Sequence, residues 1–152
     1  MINSFDKEYA FLSNFYPSLI GIHEENGPLM LYTTVEHAFQ AGKTTDLAIK
    51  RQIGLQPTPG KAKRLGRIIT LRSDWEEIKI KRMEECVHDK FQIPFLQEKL
   101  LATGNQELVE GNFWHDNFWG DCQCEKCQHI VGQNHLGKIL MAERKRICQE
   151  ET

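Results

Sequence analysis

A mixed α+β fold, predominantly helical with a small sheet built mainly from the N-terminal part, is predicted by three observations. Short apolar runs broken by turn formers crowd into residues 1–32. From Thr33 onward helix-start signals recur instead, at Thr33/Thr34, Asp46, Thr58, Ser73 and Pro94. Strand and helix patterns do not alternate as a parallel α/β sheet would require. In order, Met1 to Tyr32 reads as strands and turns, with Glu24-Glu25-Asn26-Gly27-Pro28 as the turn of a hairpin and Leu29–Tyr32 as its second strand. Thr33 followed by Glu36 fits a capping box, in which the glutamate would serve only the helix start. Asp46–Ile53 reads as a short helix, and Thr58-Pro59-Gly60 opens another with Thr at the cap and Pro in the first turn. Ser73 and Glu76 form a second capping-box pattern at the start of the longest helix, whose apolar spacing (Ile80, Met83, Val87, Phe91, joined by Cys86) runs to about Phe91. Pro94 starts a helix that stops near Gly104, Glu107–Glu110 reads as a short strand, and Asn112–Gly120 is irregular. The last helix follows Asn134, with Leu136, Ile139, Leu140 and Ile147 facing inward.

The 152 residues suit a single domain, 1–152, with one sizeable core. Hydrophobic residues at 40% and charged residues at 26% exclude collagen, coiled coil and an acidic disordered tail. No apolar run approaches the ~18 residues of a membrane helix, and Met1-Ile2-Asn3-Ser4-Phe5-Asp6 lacks the layout of a signal peptide. A cytoplasmic protein with no membrane partner is expected. The net charge of −2 argues against a dedicated nonspecific duplex-DNA binder. It hides a basic stretch, however: Lys50, Arg51, Lys61, Lys63, Arg64, Arg67 and Arg72 are uninterrupted by any acid. Such a run is either a solvated face or a site for a phosphorylated ligand, the latter favoured where a helix N-terminus adds free N–H groups.

Three constellations could carry chemistry. Glu36, Gln40 and Lys43 recur at helical spacing and form one polar stripe, either surface or the lip of a cleft. Phe113, Trp114, Phe118 and Trp119 fall within seven residues, interleaved with His115, Asp116 and Asn117. They form either a core plug or a stacking wall for a planar base. Cys122, Cys124 and Cys127 lie within six residues, in a chain with five cysteines and no secretion signal. They are either free thiols or ligands of a structural zinc completed by His129, Cys86 or Cys148. His23, His37, His88 and His135 read as structural or surface histidines.

Over nearly its whole length the chain resembles the YbiA-like (NADAR) family. The resemblance is carried by Phe11-Leu12-Ser13-Asn14-Phe15-Tyr16-Pro17, by Thr34-Val35-Glu36-His37-Ala38-Phe39-Gln40-Ala41-Gly42-Lys43, and by Ala62-Lys63 with Leu65-Gly66-Arg67. It continues through Asp74-Trp75 and Met83, Leu101-Ala102-Thr103-Gly104, Leu108-Val109-Glu110, Asp116, Phe118-Trp119-Gly120 and Asn134-His135-Leu136-Gly137-Lys138-Ile139-Leu140-Met141. The cysteine segment after Gly120 departs from members with a plain Gly/Asp/Ser loop there.

The resemblance implies a YbiA-like fold and an N-glycosidase that hydrolyses the bond between a nitrogenous base and ribose C1′. One branch of the family acts on phosphorylated ribosylamino-pyrimidine intermediates of riboflavin synthesis; another removes ADP-ribose from guanine in nucleic acid. The implied partners are thus a phosphorylated ribosyl or ADP-ribosyl substrate and, in the second branch, ADP-ribosylated nucleic acid. Catalytic positions fall on Glu36, Lys43, Asp116 and Trp75. The expected substrate-binding set is Trp119, Asn14, Phe15, Gln40, Lys63, Arg67 and Asn112. Loss of the base develops positive charge at C1′, which a carboxylate stabilises while deprotonating the attacking water. Glu36 is assigned that role; Lys43 would supply an amine nucleophile to the opened sugar. No cofactor is expected for catalysis. The alternative is a non-catalytic ADP-ribose or nucleic-acid binding module.

Overall fold

Two units make up the computed structural model, which describes residues 1–151: residues 14–90 form one, and residues 1–13 with 91 onward form the other.

In the first unit, β1 (Ile20–His23) and β2 (Leu29–Tyr32) pair antiparallel with Ile20 opposite Tyr32 and His23 opposite Leu29. The turn between them is the predicted one, with Asn26 at φ 53 and Gly27 N–H returning to the Glu24 carbonyl. Ile20, Ile22 and Tyr32 are buried, while Leu29 and Leu31 face out. Four helices follow: α1 (Val35–Ala41), α2 (Leu47–Gly54), α3 (Pro59–Ile68) and α4 (Trp75–Lys90). All seven residues of α1 are buried, because β1, β2, α2, α3 and α4 all pack against it. Asp46 caps α2 by accepting from Ala48 and Ile49 N–H, and Thr58 caps α3 by accepting from Lys61 N–H, as the sequence predicts. The Ser73/Glu76 capping box is replaced. The Asp74 carbonyl accepts from Glu77 and Ile78 N–H, the Asp74 carboxylate is held by Arg72, and the Glu76 carboxylate pairs with Lys79. On α4 the inner face is Trp75, Arg82, Met83, Cys86, Val87 and Lys90; Ile80 is exposed, because at 100° per residue it falls at the edge of that face.

The second unit corrects two expectations. Lys7–Leu12 is a 3₁₀ helix rather than strand, which satisfies its backbone locally while burying Phe11 and Leu12. Glu107–Glu110 supplies only a single parallel bridge, Leu108 to Ile2. The ladder lies next to it, in β3 (Gly111–Asn112) paired parallel with β4 (Asp121–Cys122). Gly111 is where the backbone passes so close to the Asn3 carbonyl that a Cβ would stand 2.1 Å from it. Helices α5 (Pro94–Ala102) and α6 (His135–Glu150) pack on each other around Phe91, Leu96, Leu100, Leu136, Leu140 and Ile147; Ile139 is half-buried. The α5 end follows the predicted glycine stop, with Gly104 at φ 63. Among the described residues no helix is long and apolar enough to cross a membrane.

Candidate active site

The start of α1 decides what Glu36 does. Thr34, not Thr33, is the N-cap, and its side chain accepts from His37 N–H at 3.1 Å. The expected Thr33/Glu36 capping box is therefore not formed, because the cap sits one residue later and its third residue is His37. The Glu36 N–H instead donates to the Asn14 carbonyl at 3.1 Å, tying the Asn14-Phe15 segment to the helix. The His37 ring is fully accounted for: Nδ1 lies 2.7 Å from Thr34 Oγ1 and Nε2 lies 2.9 Å from the Gln56 carbonyl. The Gln56 carbonyl can only accept, so Nε2–H donates to it, and in that neutral tautomer Nδ1 accepts the Thr34 hydroxyl proton. His37 is structural, as the sequence suggests.

The Glu36 carboxylate, freed from capping, is buried and accepts from Gln40 Nε2 at 2.7 Å. The stripe predicted from spacing is thus no solvated face: Glu36 and Gln40 are buried and Lys43 is half-buried. Burial pushes the Glu36 carboxyl above its ordinary range, against the opposing pull of the Gln40 hydrogen bond and the charges of Lys63 and Lys43. Burial likewise lowers the Lys43 amine; Glu36 opposes this, while Arg67 and Lys63 add to it. The helix stops at Ala41, so Lys43 sits in the turn after it rather than on the helical face that the spacing predicts, its N–H returning to the Gln40 carbonyl. Glu36 and Lys43 are thus moved toward each other in proton affinity, a common property of acid–base sites.

Gly66 on α3 makes the approach to Gln40 possible. Gln40 Oε1 is buried with no hydrogen-bond partner among the described residues, and a Cβ at Gly66 would stand 1.9 Å from it. Glycine-to-alanine changes within helices ordinarily stabilise by about 0.5–1 kcal/mol. Gly66→Ala is expected to do the opposite, costing about 1–3 kcal/mol through overpacking against Gln40. Gly60→Ala, where the nearest atom is Thr58 Oγ1 at 3.9 Å, should not destabilise. Thermal denaturation of the pair checks this.

Lys63 is half-buried and Arg67 exposed on α3. The basic stretch read from the sequence does not act as one patch. Lys50 is buried, with Nζ 2.9 Å from Glu24 Oε2 and 3.0 Å from the Ala41 carbonyl, and Arg72 binds Asp74 and Glu25. The cations left for an anionic ligand on α3 are Lys61, Lys63, Arg64 and Arg67. Trp75, at the first position of α4, is buried with its ring 5.1 Å from that of Phe39 at a 56° tilt. Asn14 donates from Nδ2 to Met83 Sδ at 3.6 Å, and Phe15 is exposed.

Sequence reasoning missed the polar core behind this site. Glu24 reads as a turn residue, yet it is buried and accepts from Arg82 at 2.8 and 3.0 Å, from Lys50 and from the Tyr32 hydroxyl at 2.8 Å. Arg82 also donates to the Ala38 carbonyl, so with Lys50 it satisfies the C-terminal carbonyls of α1 and fixes that end of the helix. Gly42 is required where Arg82 crosses, because a Cβ would stand 2.7 Å from that side chain. Burial would raise the Glu24 carboxyl, but Arg82 and Lys50 outweigh it and hold it at about 2. Glu24, Lys50, Arg72 and Arg82 line a cavity of about 200 Å³ whose lining includes none of Glu36, Lys43 and Trp75.

Asn112, Asp116 and Trp119 belong to the other unit, where they organise the aromatic loop. Asp116 Oδ1 accepts from Phe118 and Trp119 N–H at 3.1 and 2.9 Å. The Asn112 side chain accepts from Asp116 N–H and donates to the Asp116 carbonyl. Phe118 and Trp119 are half-buried and meet each other and His135 ring to ring, while Phe113 and Trp114 are exposed. The loop is thus part plug and part open aromatic surface. Cys122, Cys124 and Cys127 converge on His115, with one ligand atom from each within 4.8 Å of the others. None of the fourth partners named from the sequence belongs to this group. Cys86 is buried on α4 with its thiol pushed up to about 12, Cys148 is exposed on α6, and His129 is exposed. The readable signal was His115 itself, seven positions before Cys122.

A family model described as the NADAR domain matches residues 2–148. The N-glycosidase Npun_R5314 of Nostoc punctiforme is 42% identical over 145 residues, covering 91% of this chain and 86% of that protein. The chloroplastic riboflavin biosynthesis protein PYRR of Zea mays is 35% identical over 91% of this chain, which spans 23% of the maize protein. The NMR structure of the E. coli protein YbiA matches with a TM-score of 0.80 and 32% identity, over 99% of this chain and 87% of that one. The α+β fold predicted from the sequence is therefore the fold of YbiA, and the chain belongs to the NADAR domain family.

Proposed function

We propose that the protein hydrolyses the N-glycosyl bond between a nitrogenous base and ribose C1′ in a phosphoribosyl or ADP-ribosyl substrate, with Glu36 as the principal catalytic group. The observation that carries this reading is the buried Glu36 carboxyl on α1, with its pKa raised, within electrostatic reach of the half-buried Lys43 just past the C-terminal end of that helix. The names of the relatives, two of them an N-glycosidase and a riboflavin biosynthesis protein, support the reaction class and one branch of substrate.

In this reading the base departs from C1′ and the glycosyl group gains positive charge at C1′ and the ring oxygen. The ionised Glu36 stabilises that charge in a site shielded from water, and accepts a proton from the attacking water. The water oxygen bonds to C1′, and the proton passes to the departing nitrogen. No electrons are transferred, so side chains and water suffice. Gln40 keeps Glu36 in position through its 2.7 Å hydrogen bond. Lys63 and Arg67 attract the phosphate, and Trp75, braced by Phe39, closes the apolar side.

Lys43 decides between two routes. With its proton affinity lowered, a larger fraction is the free amine, which can attack C1′ of a ring-opened sugar, expel the base and leave an imine that water then hydrolyses. Purified protein incubated with ribosylamino-pyrimidine phosphate and with ADP-ribosylated guanine DNA should release ribose phosphate or ADP-ribose from one of them. Borohydride added during turnover reduces an imine to a stable amine. A mass increase equal to the released sugar less one oxygen (water lost in the imine, two hydrogens gained on reduction), absent in Lys43→Ala, supports the imine route. Turnover without any adduct assigns direct attack by water. Binding of both substrates without turnover would overturn the assignment as an enzyme on these substrates and leave the binding module.

A further inference from the structure

We propose that the protein holds a structural zinc ion bound by His115 Nδ1 and the Sγ atoms of Cys122, Cys124 and Cys127. The four ligand atoms lie within 4.8 Å of one another. His115 Nδ1 is 3.9 Å from Cys122 Sγ, 3.3 Å from Cys124 Sγ and 3.5 Å from Cys127 Sγ. A single ring nitrogen has one proton or one lone pair, so it cannot hydrogen-bond three sulfurs. Three sulfurs arranged about it at similar distance are instead what a tetrahedron requires. With Zn–S near 2.3 Å and Zn–N near 2.05 Å, each N···S edge is about 3.6 Å.

The chain is shaped to deliver these ligands. Cys122 ends β4, and Cys124 caps the 3₁₀ turn Glu125–Cys127, whose Cys127 N–H returns to the Cys124 carbonyl at 3.1 Å. That turn presents Cys124 and Cys127 together, in the C-x₂-C knuckle common to structural zinc sites. His115 sits at φ 70, a left-handed backbone that costs a non-glycine residue free energy and brings its ring into the cluster. Asn117 supports the ligands: its Nδ2 lies 3.5 Å from Cys127 Sγ and its Oδ1 accepts from Cys122 N–H at 2.9 Å. Three sulfurs and one imidazole select zinc over the oxygen-seeking magnesium and calcium.

Four protein ligands fill the tetrahedron and leave no open position, so the ion is structural and takes no part in turnover. Binding converts three thiols to thiolates and releases their protons, giving the site a net charge of −1. The ion closes the loop from His115 to Cys127 and thereby fixes Asp116, Phe118 and Trp119 within it. This inference stands independently of the glycosidase reading.

Protein purified under reducing conditions without added metal should contain one zinc per chain by elemental mass spectrometry. Absorption fine structure at the zinc edge should give three sulfur neighbours and one nitrogen. Replacing zinc by cobalt(II) should produce thiolate-to-cobalt charge-transfer bands and the ligand-field bands of a tetrahedral site. Cys124→Ser should lose the metal and His115→Ala should weaken its binding at least tenfold, while Cys148→Ser and His129→Ala should keep full occupancy. Should Cys124→Ser fail to fold, zinc stripped from the wild-type chain by a chelator and returned by titration provides the same measurement without a variant. A wild-type protein that contains no zinc and develops no cobalt–thiolate bands on titration overturns the proposal. So does full zinc content in both Cys124→Ser and His115→Ala.

Discussion

Glu36→Gln is expected to lower kcat/KM about 100- to 10,000-fold, the range typical of losing a positioned general base. The fall should lie mainly in kcat, because the carboxylate acts on charge that develops as the base leaves. Gln is nearly isosteric and cannot ionise, so little packing is disturbed. Stability should move the other way from activity. The folded pKa of Glu36 is above its unfolded value of about 4.5. The group therefore contributes stability below that unfolded value, and this is lost as pH rises through the raised folded pKa. Above that folded pKa the buried charge is a burden that Gln removes, so there the variant should melt no lower than the wild type. In the wild type, kcat/KM should fall on the acid side at a pH above the ordinary glutamate range, as Glu36 protonates. The residual activity of Glu36→Gln should lack that limb. Full activity in the variant would remove the proposed mechanism while leaving the family assignment intact.

The largest stability effect is expected at Glu24. Glu24→Gln leaves Arg82 and Lys50 charged and buried with their common carboxylate gone, a change that costs about 3–5 kcal/mol. In a chain of this size that corresponds to a fall in Tm of roughly 10 °C or more. Lys50→Met should cost less, because Glu24 keeps its two hydrogen bonds to Arg82. The acid limb of stability tests the same network. Glu24 is held at about 2 in the folded protein, below its unfolded value of 4.5. Its contribution is present above about pH 4.5 and is lost as pH falls toward 2, about 3 kcal/mol in all. Urea unfolding at a series of pH values should show that slope in the wild type and not in Glu24→Gln. Because the network anchors the C-terminal end of α1, Glu24→Gln should also lower activity without any change in the identity of the catalytic group.

Helix boundaries were legible wherever a cap residue acts on its own neighbours. Asp46, Thr58 and Gly104 behave as local chemistry dictates, since the bonds they make or the backbone they permit lie within a few residues. The capping box at Thr33/Glu36 was misplaced by one residue, since both threonines offer the same hydroxyl and only packing of the helix chooses between them. Ile80 was misread in a similar way: the buried face of α4 is turned toward Arg82 and Lys90, which leaves Ile80 at its edge. An arginine in a core is unreadable without its partner, and Glu24 lies 58 positions away.

By itself the sequence determined the fold class, the hairpin turn, the order of the helices and the Glu36–Gln40 pairing on one helical face, because each depends on periodicity or on residues close in the chain; the family was legible through the resemblance of its motifs. Only the tertiary structure decided that the stripe is buried, that Lys50 serves Glu24 rather than a phosphate, and that His115 joins the three cysteines. Burial and long-range pairing set a group's solvation and its neighbours, and those, not residue type, determine its proton affinity and what it can bind.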